Sequence, residues 1–225
     1  MAQKNDPLLN VEQRWDRVQN YLDDNKKMIS VLSIALTLLI GGFVTFKYWY
    51  IPSQEQDAEM AMRTAQRYFA DDSVNKAIKG DGANLGFQDI ADQYGWTPAG
   101  HLANYYLGLS YYYKRDYQQA IDNLEKFNAH DVLVSANAAG VEGDAYMQLN
   151  NTDKAIEYYM EAVKRSDNDY TAPTFMKKAA QAYETKGDYA NALTIYQNIL
   201  TKYYNFAEAN DIDKYIARAE AKTSK

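Results

Sequence analysis

One long stretch near the N-terminus is apolar without interruption. Residues 28–46 are 19 residues with no charged side chain among them. As a helix this stretch would be about 28 Å long, close to the hydrocarbon thickness of a bilayer. Lys47-Tyr48-Trp49-Tyr50 follows it, with aromatic rings of the kind that prefer the headgroup level. The pattern predicts a transmembrane helix over residues 28–50, ended by Pro52.

A cleaved signal peptide is the alternative explanation of this stretch, and the sequence disfavours it. The apolar run and the 27 residues ahead of it are both too long, and no small-x-small cleavage site follows Gly42. Five basic residues lie ahead of the run, whereas only Lys47 lies close behind it. The positive-inside rule therefore predicts a cytoplasmic N-terminus and a translocated remainder.

The apolar stretch also carries small residues at every fourth position. A line of this kind lets the backbone of another helix approach closely. We therefore expect a lateral docking face for a membrane partner, formed by Ser33, Thr37, Gly41 and Thr45. Because Gly, Ser and Thr are common in membrane helices, an incidental arrangement is the alternative.

Residues 1–27 contain a second helical pattern. Val11, Trp15, Val18 and Leu22 fall on one face of a helix whose opposite face is charged. We expect a short cytosolic amphipathic helix that lies at the membrane interface or against a partner. Disorder of this segment is the alternative.

From residue 99 onward the apolar pattern repeats. Identical residues recur 35 and 37 positions apart, at Ala120, Ala155 and Ala192 and at Tyr111, Tyr146 and Tyr183. A period of this length is typical of stacked helix pairs, in which no pair buries its apolar faces alone. The tyrosine surplus, 21 of 225 residues, suits the wide gaps between such helices.

These segments resemble the tetratricopeptide repeat, a family with a period of 34 residues and two helices in each repeat. The resemblance covers residues 99–204 and includes Gly187-Asp188-Tyr189 in the third repeat. The second repeat departs from the family pattern at Asn150-Asn151-Thr152, although Asn tolerates a left-handed turn. The resemblance implies an all-α tetratricopeptide-repeat solenoid on a single N-terminal transmembrane helix.

Weaker helical patterns flank the repeats. We expect a degenerate helical pair before them and one capping helix, from Ala207 to Ala221, after them. The predicted organisation is a cytosolic segment, a transmembrane helix, an N-terminal helical pair, three repeats and a cap, over residues 1–27, 28–50, 55–98, 99–204 and 205–225.

Composition and charge argue against catalysis. The chain has no Cys and only two His, His101 and His130, which disfavours a thiolate or histidine metal site and excludes a Cys nucleophile. Asp167-Asn168-Asp169 begins like a calcium loop but lacks its later Gly and Glu. We expect no enzyme, no cofactor and no metal. The net charge of −6 also argues against nucleic acid as a partner.

Function is then expected from a binding surface. In the repeat family, positions two, five, nine and twelve of each first helix line a concave groove. Carried onto this chain, they give a candidate partner-binding groove formed by Leu102, Tyr105, Leu109, Tyr112, Asn137, Asp144, Met147, Lys177 and Gln181. A stripe of Tyr and Leu suits an extended or helical peptide. Tyr105 and Leu109 stand where a chaperone-tail clamp needs Lys and Asn, so an acidic chaperone tail is disfavoured.

The groove has an alternative explanation. Its residues could instead pack under the N-terminal helical pair and be unavailable to a partner.

Short motifs flank the apolar stretch. Asn25-Lys26-Lys27 precedes it and Lys47-Tyr48-Trp49 follows it, and together with the order of the parts they resemble the YfgM family of bacterial inner-membrane proteins. Gly86-Phe87-Gln88-Asp89-Ile90 and Tyr105-Tyr106-Leu107-Gly108 are similar to versions from Bacteroidota. The resemblance implies a periplasm-facing ancillary subunit of the SecYEG translocon. Such a subunit works with the membrane-anchored chaperone PpiD on newly exported polypeptides.

Two other functions are compatible with the same architecture. One is an adaptor in cell-envelope assembly or in a secretion machine, using the groove for another protein. The other is an organelle import receptor whose repeats lie in the cytosol, which requires the opposite topology.

Overall fold

The computed structural model describes residues 7–128 and 131–224, with side chains from Trp15 onward. Within these ranges the elements are thirteen α-helices and one π-helical turn, and no strand is present. The chain divides into two compact units between Ser53 and Gln54.

The first unit contains α1 (Pro7–Asp24), α2 (Lys26–Thr45) and the π-helical turn Phe46–Tyr50. α1 coincides with the predicted amphipathic segment, although the side chain of Val11 lies outside the described residues. The other three apolar residues of that predicted face, Trp15 among them, are exposed.

α2 has no buried residue. In the described part of the chain, the helical stretch from Lys26 is the one segment long and apolar enough to cross a membrane, and a signal sequence meets the same criterion. The hydroxyls of Thr37 and Thr45 donate to the carbonyl oxygens of Ser33 and Gly41 at 2.8 and 2.9 Å. Both threonine hydroxyls of the predicted docking face are therefore satisfied within the helix, and the face is exposed.

Pro52 does not end a helix, contrary to the prediction. It occupies the second position of α3, which runs over Ile51–Ala70. The helical stretch is continuous here, because the π-helical turn Phe46–Tyr50 leads directly into α3 and the N–H of Ile51 donates to the carbonyl oxygen of Phe46. Pro52 thus directly follows a π-helical turn, a place where the regular hydrogen-bond pattern of the helix is already interrupted.

The second unit begins within α3 and continues through ten further helices of the described residues. They are α4 (Val74–Lys79), α5 (Phe87–Gln93), α6 (Pro98–Tyr113), α7 (Tyr117–Leu124), α8 (Val132–Gln148), α9 (Thr152–Arg165), α10 (Thr171–Thr185), α11 (Tyr189–Lys202), α12 (Tyr204–Ala209) and α13 (Ile212–Thr223). α6–α7, α8–α9 and α10–α11 are successive helix pairs, and α3 with α4 and α5 precedes them.

The turn inside each pair has the same backbone conformation. Arg115, Asn150 and Gly187 all lie in the left-handed region, with φ of 62°, 58° and 78°. The residue after each of them is Asp or Asn, and its side chain accepts a hydrogen bond from the backbone N–H three residues later. This cap fixes the start of the second helix of every pair.

The helices of a pair approach closely at a glycine or an alanine. A Cβ added at Gly143 would lie 2.6 Å from the ring of Tyr159. Ala180, at the matching position of the third pair, is fully buried. Small residues at this position therefore set the distance between the helices, and the larger side chains of the second helix fill the gap.

The C-terminal cap consists of two helices, not the single helix that the sequence predicted. α12 ends at Ala209 and α13 begins at Ile212, with Asp211 between them at a φ of 51°. A left-handed residue cannot continue an α-helix, so the chain turns here. α13 nevertheless buries Ile212 and Ala219 against the last repeat.

Candidate partner-binding groove

Four of the predicted groove residues line one cavity of about 270 Å³. They are Tyr112 of α6, Asp144 and Met147 of α8, and Gln181 of α10. The lining is completed by Gln148, Tyr159, Lys178, Ala182 and Thr185. Since α6, α8 and α10 are the first helices of successive pairs, the cavity joins all three repeats.

Asp144 is the centre of the polar contacts in this cavity. It accepts a hydrogen bond from the hydroxyl of Tyr159 at 2.7 Å, and it forms an ion pair with Lys178 at 2.6 Å. Burial and the charge of Asp144 raise the pKa of Tyr159, so its hydroxyl stays protonated and donates. The two charged residues of the lining thus neutralise each other.

Tyr112 supplies the aromatic wall. Its ring packs against those of Tyr113 and Tyr117, with centroids 6.3 and 5.6 Å apart. Burial and the nearby charge of Asp144 raise the pKa of Tyr112. The side chain therefore offers an apolar ring and a neutral hydroxyl to a ligand.

Three predicted groove residues of α6 lie outside the cavity. Tyr105 packs against the rings of Tyr106 and Phe127, both at 5.5 Å, and burial raises its pKa. Leu102 packs against the apolar core of the N-terminal helical pair. Leu109 is half-buried. Leu102 therefore packs under the N-terminal helical pair, as the alternative explanation of the groove expects.

Lys177 and Asn137 also lie outside the cavity. Lys177 donates to the side chain of Asn210 at 3.3 Å, and its ammonium lies 5.0 Å from the ring centroid of Tyr215. It thus faces the cap, while Asn137 is exposed on α8. The predicted residues that reach the cavity are all at positions nine and twelve of the repeat, although Leu109, also at position nine, lies outside it. The predicted residues at positions two and five, Leu102, Tyr105, Asn137 and Lys177, lie outside the cavity.

Two functional candidates, Tyr159 and Lys178, were missed by the sequence analysis. The available signal was spacing, because Lys178 follows Asp144 by 34 residues, one repeat period. Three other ion pairs join residues 33 to 35 positions apart, namely Lys186–Asp153, Lys202–Asp167 and Arg218–Glu184. Opposite charges one period apart meet because stacking places equivalent positions side by side.

Among the described residues, no group of three or more His, Asp or Glu side chains is placed so that it could hold a metal ion. His101 is half-buried in α6, and its Nδ1 has no hydrogen-bond partner. His130 lies outside the described residues.

Comparison with known proteins agrees with this geometry. Residues 105–170 and 141–207 each match the model of the tetratricopeptide repeat. The two overlapping matches span the helices that line the cavity. No curated protein matches the chain in sequence.

Solved structures show the same fold. A crystal structure of MamA protein aligns with a TM-score of 0.55 at 19% identity, covering 75% of this chain and 92% of that one. A putative kinesin light chain from Podosopora anserina with nearly identical TPR-like repeats aligns with a TM-score of 0.55 at 14% identity, covering 76% and 88%. At such identities the likeness shows a shared repeat solenoid and nothing of function.

Proposed function

We propose that this protein is a membrane-anchored, non-enzymatic scaffold that holds a segment of a protein partner in the cavity lined by Tyr112, Asp144, Met147 and Gln181. Tetratricopeptide repeats are protein–protein interaction modules. The observation that carries the proposal is the cavity itself, which joins three repeats and combines an aromatic wall with an internally neutralised ion pair. A surface of this kind favours an uncharged, partly apolar segment over an acidic tail.

The proposal includes an anchor in the bacterial inner membrane. Residues 28–50 would span the bilayer, with the N-terminus in the cytoplasm and the repeats in the periplasm. The excess of basic residues ahead of the apolar stretch supports this orientation. The open face of α2, with Ser33, Thr37, Gly41 and Thr45, would dock against a membrane partner.

The partner that the sequence resemblance favours is the SecYEG translocon with a PpiD-type chaperone. In this role the repeats hold the chaperone, or an emerging exported polypeptide, near the exit of the channel. An adaptor in envelope assembly would use the same cavity on a different protein.

The test is photo-crosslinking in native membranes. A photoreactive phenylalanine analogue replaces Tyr112 in the full-length protein, and adducts are identified by mass spectrometry. We expect adducts with a translocon subunit, the chaperone or exported polypeptides, because the analogue lines the cavity. Tyr113 is the matched control, since it is the next residue, is 67% exposed and lies outside this cavity.

The outcomes test the use of the cavity and the identity of the partner separately. Adducts from position 112 with envelope-assembly proteins would keep the scaffold and replace the partner. A yield at position 112 no higher than at position 113 would contradict the use of the cavity for binding.

A further inference from the structure

Exposed large apolar side chains recur along the second unit at the repeat period. They occur just before or at the start of α6, α8, α10 and α12, 34 to 38 residues apart, and are Trp96, Val132, Leu133, Tyr170 and Tyr204. Trp96 is 47% exposed, Tyr170 85% and Tyr204 63%. Burial in the repeats does not explain large apolar side chains that are as exposed as Tyr170 and Tyr204.

Hydrogen bonds show that these residues share one edge of the stack. Arg165 at the end of α9 donates to the carbonyl oxygen of Ser135 at the start of α8, at 3.2 Å. Lys202 at the end of α11 donates to Asp167, just before α10, at 2.9 Å. First helices therefore start where second helices end, and we call this side, with its five exposed apolar residues, the tether edge.

The chain also enters the second unit at the tether edge. Both carboxylate oxygens of Glu55, in the first turns of α3, accept from the backbone N–H of Ala99 at the start of α6, at 3.1 and 3.0 Å. Farther along, the ring of Phe69 packs on that of Tyr106 at 5.8 Å, so α3 runs parallel to α6. The start of α3 thus belongs to the same edge.

Chain length ties this edge to the apolar stretch. Five residues separate Tyr50 from Glu55 in the sequence, and five residues span at most about 17 Å. If residues 28–50 cross a bilayer, part of the tether edge lies within that distance of the headgroups. A tether this short also gives the edge a high effective concentration at the lipid surface.

The opposite edge, where the turns inside the pairs lie, has a different character. Lys114 there donates to Asn75 at 2.9 Å, and Lys186 pairs with Asp153. Among the described residues of these turns the exposed large apolar side chains are Tyr113 and Leu149. Tyr113 and Leu149 are also 36 residues apart, but the described turn of the third pair carries no such side chain, whereas the tether edge has one or two at the starts of α6, α8, α10 and α12.

We propose that the tether edge rests on the lipid bilayer, with Trp96, Tyr170 and Tyr204 at the headgroup level. Trp and Tyr are the side chains that prefer this depth, because one end of each is apolar and the other is wet. The edge's Lys202 is paired with Asp167, and its Arg165 with Glu161, so binding depends on apolar contact more than on lipid charge. The proposal rests on the proposed membrane anchor.

The test uses tryptophan fluorescence of the full-length protein in phosphatidylcholine vesicles, with and without dibrominated acyl chains. One variant, Trp15→Phe with Trp49→Phe, retains Trp96 alone. In a background that also contains Trp96→Phe, Tyr170→Trp and Tyr204→Trp are introduced separately. We expect about two-fold lower fluorescence in the brominated vesicles for all three, because bromine quenches only rings that reach the acyl-chain boundary.

Two matched variants serve as controls. Tyr113→Trp in the tryptophan-free background reports the opposite edge and should show no bromolipid quenching. A variant that retains only Trp49 reports the anchor. Circular dichroism of each variant checks that its helix content is unchanged.

The outcomes distinguish this proposal from the anchor itself. If Trp49 is quenched and the Tyr170 and Tyr204 positions are no more quenched than the Tyr113 position, the edge proposal is wrong and the anchor stands. If Trp49 is not quenched, both are wrong. Edge positions that are shielded from aqueous acrylamide but not quenched by bromolipid would indicate a protein on this edge, which overturns the proposal.

Discussion

At the scale of single residues, the buried carboxyl of Glu142 makes the stability of the repeats depend on pH. It lies on α8 and is 3% exposed. Burial raises its pKa to about 7, the positive charge of Arg165 opposes the rise, and Glu125 adds to it. Because the folded-state pKa lies above the unfolded value, the folded protein binds this proton more tightly. The free energy of unfolding therefore falls as pH rises from about 4.5 through about 7.

Glu142→Gln should remove this pH dependence, because glutamine does not ionise. We expect the variant to unfold with a higher free energy than the parent at pH 8, by up to about 3 kcal/mol, and with little difference at pH 5. Denaturant unfolding of the full-length protein in detergent, followed by circular dichroism, measures both. Glu59→Gln, at an exposed carboxylate of α3, is the control. An equal effect of Glu142→Gln at both pH values would contradict the argument.

At the scale of elements, a glycine in each of the first two repeat pairs determines how closely the helices of that pair pack. Gly108 of α6 and Gly143 of α8 are 35 residues apart, and a Cβ on either would press on the facing helix. At Gly143 the obstacle is the ring of Tyr159, which is itself held by its hydrogen bond to Asp144. The contact between α8 and α9 thus also positions one wall of the cavity.

Gly143→Ala should therefore weaken both the fold and the cavity. Overpacking costs about 1–3 kcal/mol, and the better helix propensity of Ala returns up to about 1 kcal/mol, so we expect a net loss of about 1 kcal/mol. The melting temperature of the full-length protein in detergent measures the loss. Asn137→Ala, at an exposed position of the same helix, is the control and should be neutral or slightly stabilising. A Gly143→Ala variant as stable as that control would show that the ring moves aside freely.

At the scale of the whole molecule, each repeat of the second unit contacts mainly its neighbours. Ile212 of α13 is fully buried in one cluster with Tyr196 and Ile199 of α11. A separate cluster contains Phe87 and Ile90 beside α6. In such a stack the stability of one end is only weakly coupled to that of the other.

Ile212→Ala should therefore loosen one end of the stack alone. The cavity left behind costs about 2–4 kcal/mol locally. Hydrogen exchange followed by mass spectrometry should show faster exchange in α11 to α13 and unchanged exchange in α3 to α6. Ala217→Ser, at an exposed position of α13, serves as the control. Uniformly faster exchange along the whole unit would mean that the repeats unfold as one cooperative block.

The amino-acid sequence alone determined the all-helical repeat fold. The recurrence of Ala120, Ala155 and Ala192 predicts helix pairs. The spacing of small and large residues along each helix can be read from a short stretch of sequence, before the packing of the repeats is known. The left-handed turn at Asn150 was also predictable from residue type. Asn210-Asp211 carries the same residue-type signal, but the apolar positions on both sides of it favour one helix, and only the structure shows that the chain breaks at Asp211.

The tertiary structure decided which side chains meet. Tyr112, Asp144 and Gln181 share a cavity, whereas Lys177 turns to the cap and Leu102 packs against the N-terminal pair. The tertiary structure also decided that the exposed apolar residues of the tether edge lie along one side of the stack. These placements depend on how far each repeat is rotated and shifted against the next. That rotation is set by the packing of whole helices, which no single stretch of the sequence encodes.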